Sequence, residues 1–460
     1  MSSKRKNYVL LRIIAGAVLL RLGAGFLLGD QVIVLPGIAD QVSYHTLAAR
    51  LVGGHGFTYS RTWWPYTAAG QPTAHWSYLY TLFLAGIYTI IGIHPLVARI
   101  IQAILGGILM PLFAYRIAKQ VFRLRSAGIP NVGTVSLIAA AWTALYGYFI
   151  YYAAALMTET FYIIGILWTL DCALRIQNQA AIEHELKTNI KPRLWIELGL
   201  AVGFTVLLRQ VFLLFIPLLF VWLLWVLLRR TSQSGSPARR AFPGLLRGGL
   251  IFAAVLILLI APVTVYNYNQ FGQFVLLNTN AGFAFFWGNH PIYRDHFVPI
   301  MTPDMGSYQA LIPQELRSLN EAALDQALLK LGIGFITSDP VRFIKLSITR
   351  IPAYFMFWPS AASSLPSNLT RVISFGLALP FIILGIAIWI QDAHKKRVPV
   401  PPGVLLLLFI AVYSAIHLLS WALIRYRLPV DAVGLIFAAR GIYWLYQKIF
   451  SAQETSPQAV

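Results

Sequence analysis

Residues able to do acid–base or anion chemistry are sparse in this sequence, and several of them stand in apolar surroundings. Asp40 opens the run DQVSYHTLAARLVGGHGF, in which Tyr44, Leu47, Ala48, Leu51 and Val52 fall on one face of a short amphipathic helix ended by Gly53 and Gly54. A carboxylate at the head of such a helix can take the proton of an attacking hydroxyl, and it can equally be a helix cap or a charge partner. Glu159 lies in YYAAALMTETFYIIGILWTL, flanked by apolar residues on both sides. A charge placed there costs about 3 kcal/mol unless it meets a cavity or a partner, so both a functional role and a structural pair with a nearby Arg fit it.

The cationic counterparts are Arg209, between two apolar runs, and Arg425 with Arg427 in WALIRYRLPVD. An Arg can grip a phosphate with two parallel hydrogen bonds, which suits an anionic ligand. For Arg427 the alternative is an ion pair with Asp431, one helical turn on. His45, His55, His75 and His290 are too scattered for a metal motif; a divalent cation is compatible with the sequence and not shown by it.

The elements that must position these residues are membrane helices. Of 460 residues, 58% are hydrophobic and 11% charged, far from the roughly 25% charged of soluble domains. Apolar runs long enough to cross a hydrocarbon core of about 30 Å recur at 8–29, 78–93, 95–118, 133–152, 161–174, 195–208, 211–228, 250–268, 371–390, 404–420 and 429–446. The expected class is an all-α polytopic membrane protein of about 10–12 transmembrane helices, with two external loop regions containing short interfacial helices.

The net charge of +20 gathers in short clusters between the apolar runs, which is the positive-inside pattern and speaks against a nucleic-acid partner. Basic loops at 116–125, 175–193, 229–247 and 394–397 read as cytoplasmic, and Lys4 to Lys6 place the amino terminus there, the first run being too long for a cleaved signal. Both termini on one side require an even number of spans. Two runs between 78 and 118 do not fit that parity, because that stretch must cross once or three times.

The organisation expected is a catalytic membrane module over 1–268 with an external loop at 30–77, an external region at 269–340, an interfacial helix and C-terminal spans over 341–447, and a cytoplasmic tail at 448–460. Within the second external region a polar helix is expected near 315–330, and 341–359 suits a helix lying in the interface. Cys172 is the only cysteine, so no internal disulfide can form.

In chain order, Asp40 with SYHTLA, then PTAHWSYLYTLFLAGIYTIIG, LMTET, APVTVYNYNQFGQFVLLNTNAGFAFFWGNHP and RYRLPVD resemble the GT-C glycosyltransferases. The likeness is to their bacterial branch, which contains protein O-mannosyltransferase-like and lipid A aminoarabinose transferase-like enzymes. It covers nearly the whole chain and says nothing of the sugar. It implies a sugar transfer from a polyprenyl-phosphate-linked donor to a lipid, glycan or protein hydroxyl, at the outer face of the plasma membrane. Asp40 matches the acid of the first external loop and would act as base, with Glu159 a second acid. Arg425 and Arg427 match a motif near the lipid phosphate, and Tyr44, His75 and Asn289 would be substrate contacts. Ala39 and Gln41 flank Asp40, so the paired acids of one subfamily are absent here. The alternative is a transporter or flippase of a lipid-linked or anionic substrate, since charged residues in spans also mark transport paths. Related halves with broken helices in matching places would support it, and no such repeat is visible.

Overall fold

The computed structural model describes residues 3–123, 131–182, 190–233, 241–361, 363–395 and 400–454. Parts of the basic loops expected at 116–125, 175–193, 229–247 and 394–397, and the tail from 455, lie outside them. Helices build the fold: among the described residues no strand forms, and two isolated bridges join Thr58 to Pro72 and Trp63 to Thr67.

The first half of the chain carries α1 (Ser3–Leu28), α2 (Asp40–Val52), α3 (Tyr78–Ile91), α4 (Pro95–Phe122), α5 (Val132–Leu145), α6 (Gly147–Ala154), α7 (Glu159–Ile182) and α8 (Pro192–Leu208). The second carries α9 (Ile216–Gln233), α10 (Ala241–Phe271), α11 (Ala281–Gly288), α12 (Glu321–Ser338), α13 (Pro340–Tyr354), α14 (Leu365–Arg371), α15 (Leu377–Lys395), α16 (Gly403–Leu419) and α17 (Ile424–Glu454). Every apolar run read from the sequence is a helix. Among the described residues six are long and apolar enough to cross a membrane alone, and α5 with α6, bent by 48°, makes a seventh if the two form one span. The charged α7 and the shorter α8 and α16 pack into the same bundle.

Two ends of the bundle are marked by contacts between distant residues. At one, which holds the long loops, Asp30 after α1 accepts from the Leu96 amide at 2.8 Å, and Arg99 of α4 donates to the Gly29 carbonyl and, at 2.7 Å, to that of Ala154. At the other, the basic end, Lys6 of α1 donates to Asn131 at 2.8 Å, Asn178 of α7 to Gln120 of α4 at 3.0 Å, and Gln177 to the Val400 carbonyl at 2.9 Å. Arg440 of α17 reaches Asp392 there at 2.8 Å, so α1 begins and α17 finishes at the same end.

The parity conflict between 78 and 118 resolves at α3. Its 14 residues span only about 21 Å, too short for the hydrocarbon core. Tyr88 of α3 meets His45 of α2 at 2.9 Å, and the chain leaving α3 puts His94 3.7 Å from Asp30. Both ends of α3 therefore lie at the loop end, and α4 alone crosses. The expectation of a span at 78–93 is corrected by these contacts.

Burial ranks the helices. In α17, 83% of the apolar window is buried, against 17% in α1, which presents Leu11, Leu19 and Leu27 outward. α17 is held by close backbone approach: a Cβ on Gly385 of α15 would lie 1.9 Å from the Phe437 carbonyl oxygen, and one on Gly441 of α17 2.6 Å from that of Phe381. At the loop end Asn320 caps α12 through the Ala323 amide at 2.9 Å, and Asp339 caps α13 through that of Arg342 at 2.9 Å. α13 exposes Val341, Ile344, Ile348 and Ile351 as one apolar stripe, the form expected of an interfacial helix at 341–359.

Candidate active site

Asp40 is the first residue of α2, where the chain leaves the loop after α1 and turns to lie across the loop end of the bundle. Its Oδ2 accepts from Arg425 Nη1 at 2.7 Å. Arg425 stands on the first turn of α17, 385 residues away in sequence, with its guanidinium 5.2 Å from the centre of the Tyr426 ring. The two side chains keep 26% and 16% of their surface, so the pair lies in an opening rather than in the core.

Beside it is a second acid and cation. α8 ends at Arg209, whose extended backbone, φ −150° and ψ 112°, breaks the helix before the 3-10 turn Gln210–Phe215 leads into α9. That break lets Arg209 donate to Thr158 Oγ1 at 2.9 Å and to Glu159 Oε1 at the start of α7. Arg209 also lies 5.7 Å from the Tyr426 ring, so one aromatic ring carries both arginines. His417 of α16 stacks on the same ring, with ring centres 4.8 Å apart. Glu159 is 2% exposed, and its Oε2, like Arg425 Nε, has no hydrogen-bond partner among the described residues. Asp40, Glu159, Arg209, Arg425 and Tyr426 thus converge at the loop end from α2, α7, the α8 break and α17.

Arg427 is not with them. It is fully buried, donates to Asp431 at 2.9 Å and to the Tyr354 and Met356 carbonyls at 2.7 and 3.3 Å, and sits 3.5 Å over the Phe375 ring. Asp431 in turn accepts from Tyr146 at 2.7 Å. Of the two readings open for Arg427, the geometry is that of the structural pair, because residues two apart on a helix face different ways. Asn289 is likewise 1% exposed, accepting from Arg350 at 2.9 Å and donating to Phe285 at 2.9 Å. Asn289, expected as a substrate contact, is placed by these bonds in the packing between α11 and α13.

Tyr44 packs edge-on against Trp76 and Tyr80, with ring centres 5.2 and 5.0 Å away, and its hydroxyl accepts a long bond of 3.5 Å from the Ser77 amide. Burial pushes the phenol's pKa up, while Arg209 opposes that shift. Half-buried His75 lies 3.4 Å from the Thr279 carbonyl between the rings of Trp76 and Phe283, and burial lowers its pKa. His75 thereby joins the two external segments. Sequence reasoning did not include Tyr426 and His417 in the site; the aromatic directly between the two arginines was the available signal. Arg209 was singled out as a charge between apolar runs, without a partner.

The platform under Asp40 is held by an uncommon device. Glu321, on α12, is 5% exposed and accepts from the Ala74 amide at 2.8 Å and from the hydroxyls of Thr67 and Thr279. It fastens the loop carrying α2 to the second long loop with hydrogen bonds alone. One turn on, Asp325 accepts from the Phe283 amide at 3.1 Å, and burial raises its pKa to about 7.

Among the described residues, no group of three or more His, Cys, Asp or Glu gathers to hold a metal ion, and both site carboxylates are paired with arginines.

The sequence matches no protein-family model and no curated protein. Its fold matches the oligosaccharyltransferase of Archaeoglobus fulgidus in the apo form, with a TM-score of 0.60 at 18% identity over 98% of this chain and 52% of that one. The enzyme AglB of Archaeoglobus fulgidus, in complex with an inhibitory peptide and a dolichol-phosphate, matches with a TM-score of 0.59 at 17% identity over 100% and 53%. The chain spans about half the length of these structures. ArnT of Cupriavidus metallidurans, bound to undecaprenyl phosphate, is more remote, with a TM-score of 0.38 at 14% identity over 97% and 81%, and does not place the chain in a bacterial branch. The likeness establishes the fold alone, which this chain shares with about half the length of the Archaeoglobus fulgidus oligosaccharyltransferase.

Proposed function

We propose that this chain is a membrane glycosyltransferase of the GT-C type that moves a sugar from a polyprenyl-phosphate donor to an acceptor hydroxyl. The observation that carries the reading is the convergence of the partly exposed Asp40–Arg425 pair and the more deeply buried Glu159–Arg209 pair beside the Tyr426 ring, at the end of the bundle that also holds α2, α3, α12 and α13. By the positive-inside rule the opposite end, with Lys6, Lys119 and Lys448, faces the cytoplasm, so the site faces out of the plasma membrane. Support for a lipid-phosphate donor comes from the dolichol-phosphate found with AglB.

The chemistry assigned to these residues is one in-line displacement. Asp40 takes the proton as the acceptor oxygen forms its bond to the sugar's anomeric carbon, and the bond from that carbon to the phosphate oxygen breaks with its electron pair on the phosphate. Phosphate is a good leaving group, so charge stabilisation matters more than a strong acid. Arg425 supplies it, with Arg209 next to it. Without substrate, Asp40 and Arg425 neutralise each other; a bound phosphate competes for Arg425 and leaves Asp40 free to accept a proton. Glu159 holds Arg209 and offers its remaining oxygen to the acceptor. In this reading Arg427 is a scaffold residue.

The test is release of free polyprenyl phosphate by purified protein from a polyprenyl-phosphate sugar, in the presence of a mixed lipid, glycan and peptide acceptor pool. Release above that of an Arg425→Ala control supports transfer. Movement of intact donor between leaflets with no release would instead indicate a flippase.

A further inference from the structure

At the basic end, a cavity of about 360 Å³ opens between the start of α1, the last turns of α4 and the first turn of α5. Its walls include Lys6, Asn7, Tyr115, Lys119, Arg123 and Gly133. Three cations and no carboxylate line it, and among the described residues no acid lies within ion-pair distance of any of the three. Three arginines elsewhere at this end do have acids: Arg116 and Arg175 share Asp171, and Arg440 has Asp392.

Charge sorting accounts for cations at this end but not for their arrangement round a hollow. The position of Lys6 shows that the hollow is built. Its side chain runs along Gly133 so closely that a Cβ there would lie 2.6 Å from Nζ and 2.8 Å from Cδ, and Asn131 fixes the ammonium at 2.8 Å. A glycine at the start of α5 and an amide at its cap therefore hold one cation in the wall of a cavity that two others also line, in the small-ligand size range of about 300–1,000 Å³. Tyr115 and Asn7 add neutral groups that can donate to oxygen.

We propose that this cavity binds a phosphate group, carried by an anionic lipid headgroup of that leaflet or free in solution, at the far end of the bundle from Asp40. Lys119 and Arg123 supply the field, and Lys6 the fixed contact. Basic pockets between membrane helices at this level are suited to lipid phosphates. The proposal does not depend on the transferase reading.

The experiment uses the full chain in nanodiscs, with binding read by native mass spectrometry and thermal shift. One arm compares phosphatidylglycerol with phosphatidylcholine; the other adds inorganic phosphate to phosphatidylcholine discs. The doubly substituted Lys119→Gln, Arg123→Gln protein, altered only at exposed side chains, should lose about tenfold or more of the preference for phosphatidylglycerol, or of the phosphate-induced shift. Gly133→Ala, which displaces the Lys6 ammonium without changing charge, should lose part of the same signal. Loss in the first arm identifies a lipid headgroup and loss in the second a free phosphate. The control lowers charge equally outside the cavity through Lys395→Gln with Lys448→Gln. If the control weakens binding as much as the cavity variant, or if the cavity variant binds like the unsubstituted protein in both arms, the proposal is overturned.

Discussion

Arg425 and Arg427 are two residues apart, and their side chains leave the α17 axis about 200° apart. Only one of them can face an opening, and burial says which. The partly buried pair Asp40–Arg425 contributes about 1 kcal/mol to folding, as partly solvated ion pairs do. Arg427→Ala would leave the Asp431 carboxylate buried without its cation, which costs about 3–5 kcal/mol. The expected outcome is a split: Arg425→Lys and Arg425→Ala raise the KM for donor with little change in thermal stability, while Arg427→Ala lowers stability with donor affinity kept in the folded fraction. Donor titrations beside melting curves for the three proteins check it, and a stability loss for Arg425→Ala equal to that of Arg427→Ala would contradict the assignment. The RYR motif reads in sequence as a joint grip because spacing shows charge without direction. Once α17 is known to begin at Ile424, the helical period alone separates the two.

At the scale of elements, what the sequence hides is how the loops are tied. The apolar runs, the caps and the stripe of α13 are local patterns and read directly, including α2 and the polar helix that becomes α12. Glu321 and Asp325 look in sequence like the solvated face of that polar helix, and their burial depends on partners 42 to 254 residues away. Asp325 carries a testable consequence. Its pKa stands at about 7, above the ordinary 3.8, because burial disfavours the charged form and Glu321 adds repulsion. A raised carboxyl pKa makes the packed state bind its proton more tightly, so the stability it gives is complete below about pH 4 and is lost as pH rises through about 7. Amide exchange in α11 and α12 should therefore quicken from pH 5 to pH 8 after correction for intrinsic rates. In Asp325→Asn that dependence should vanish; if it persists unchanged, another group is responsible.

For the whole molecule, composition and hydropathy were enough to indicate helices and a membrane, while the path between 78 and 118 was not legible. Apolarity reports contact with lipid or core, and α3 satisfies that test by lying across the ends of other helices without crossing. With α3 removed from the count, α1 begins and α17 finishes at the basic end, as charge sorting also demands. Cys172 is buried, so single reporters at Ser3→Cys and Ser451→Cys give clean signals. Neither should react with a membrane-impermeant maleimide in intact cells, and both should after lysis; labelling of one from outside would break the parity. The central claim is that the opening around Asp40 performs transfer chemistry. Its most direct test is Asp40→Asn, which keeps shape and removes the proton acceptor. The account predicts that turnover of a polyprenyl-phosphate sugar falls about 10²-fold or more, with donor binding kept and the melting temperature nearly unchanged. Near-normal turnover in that variant would contradict it.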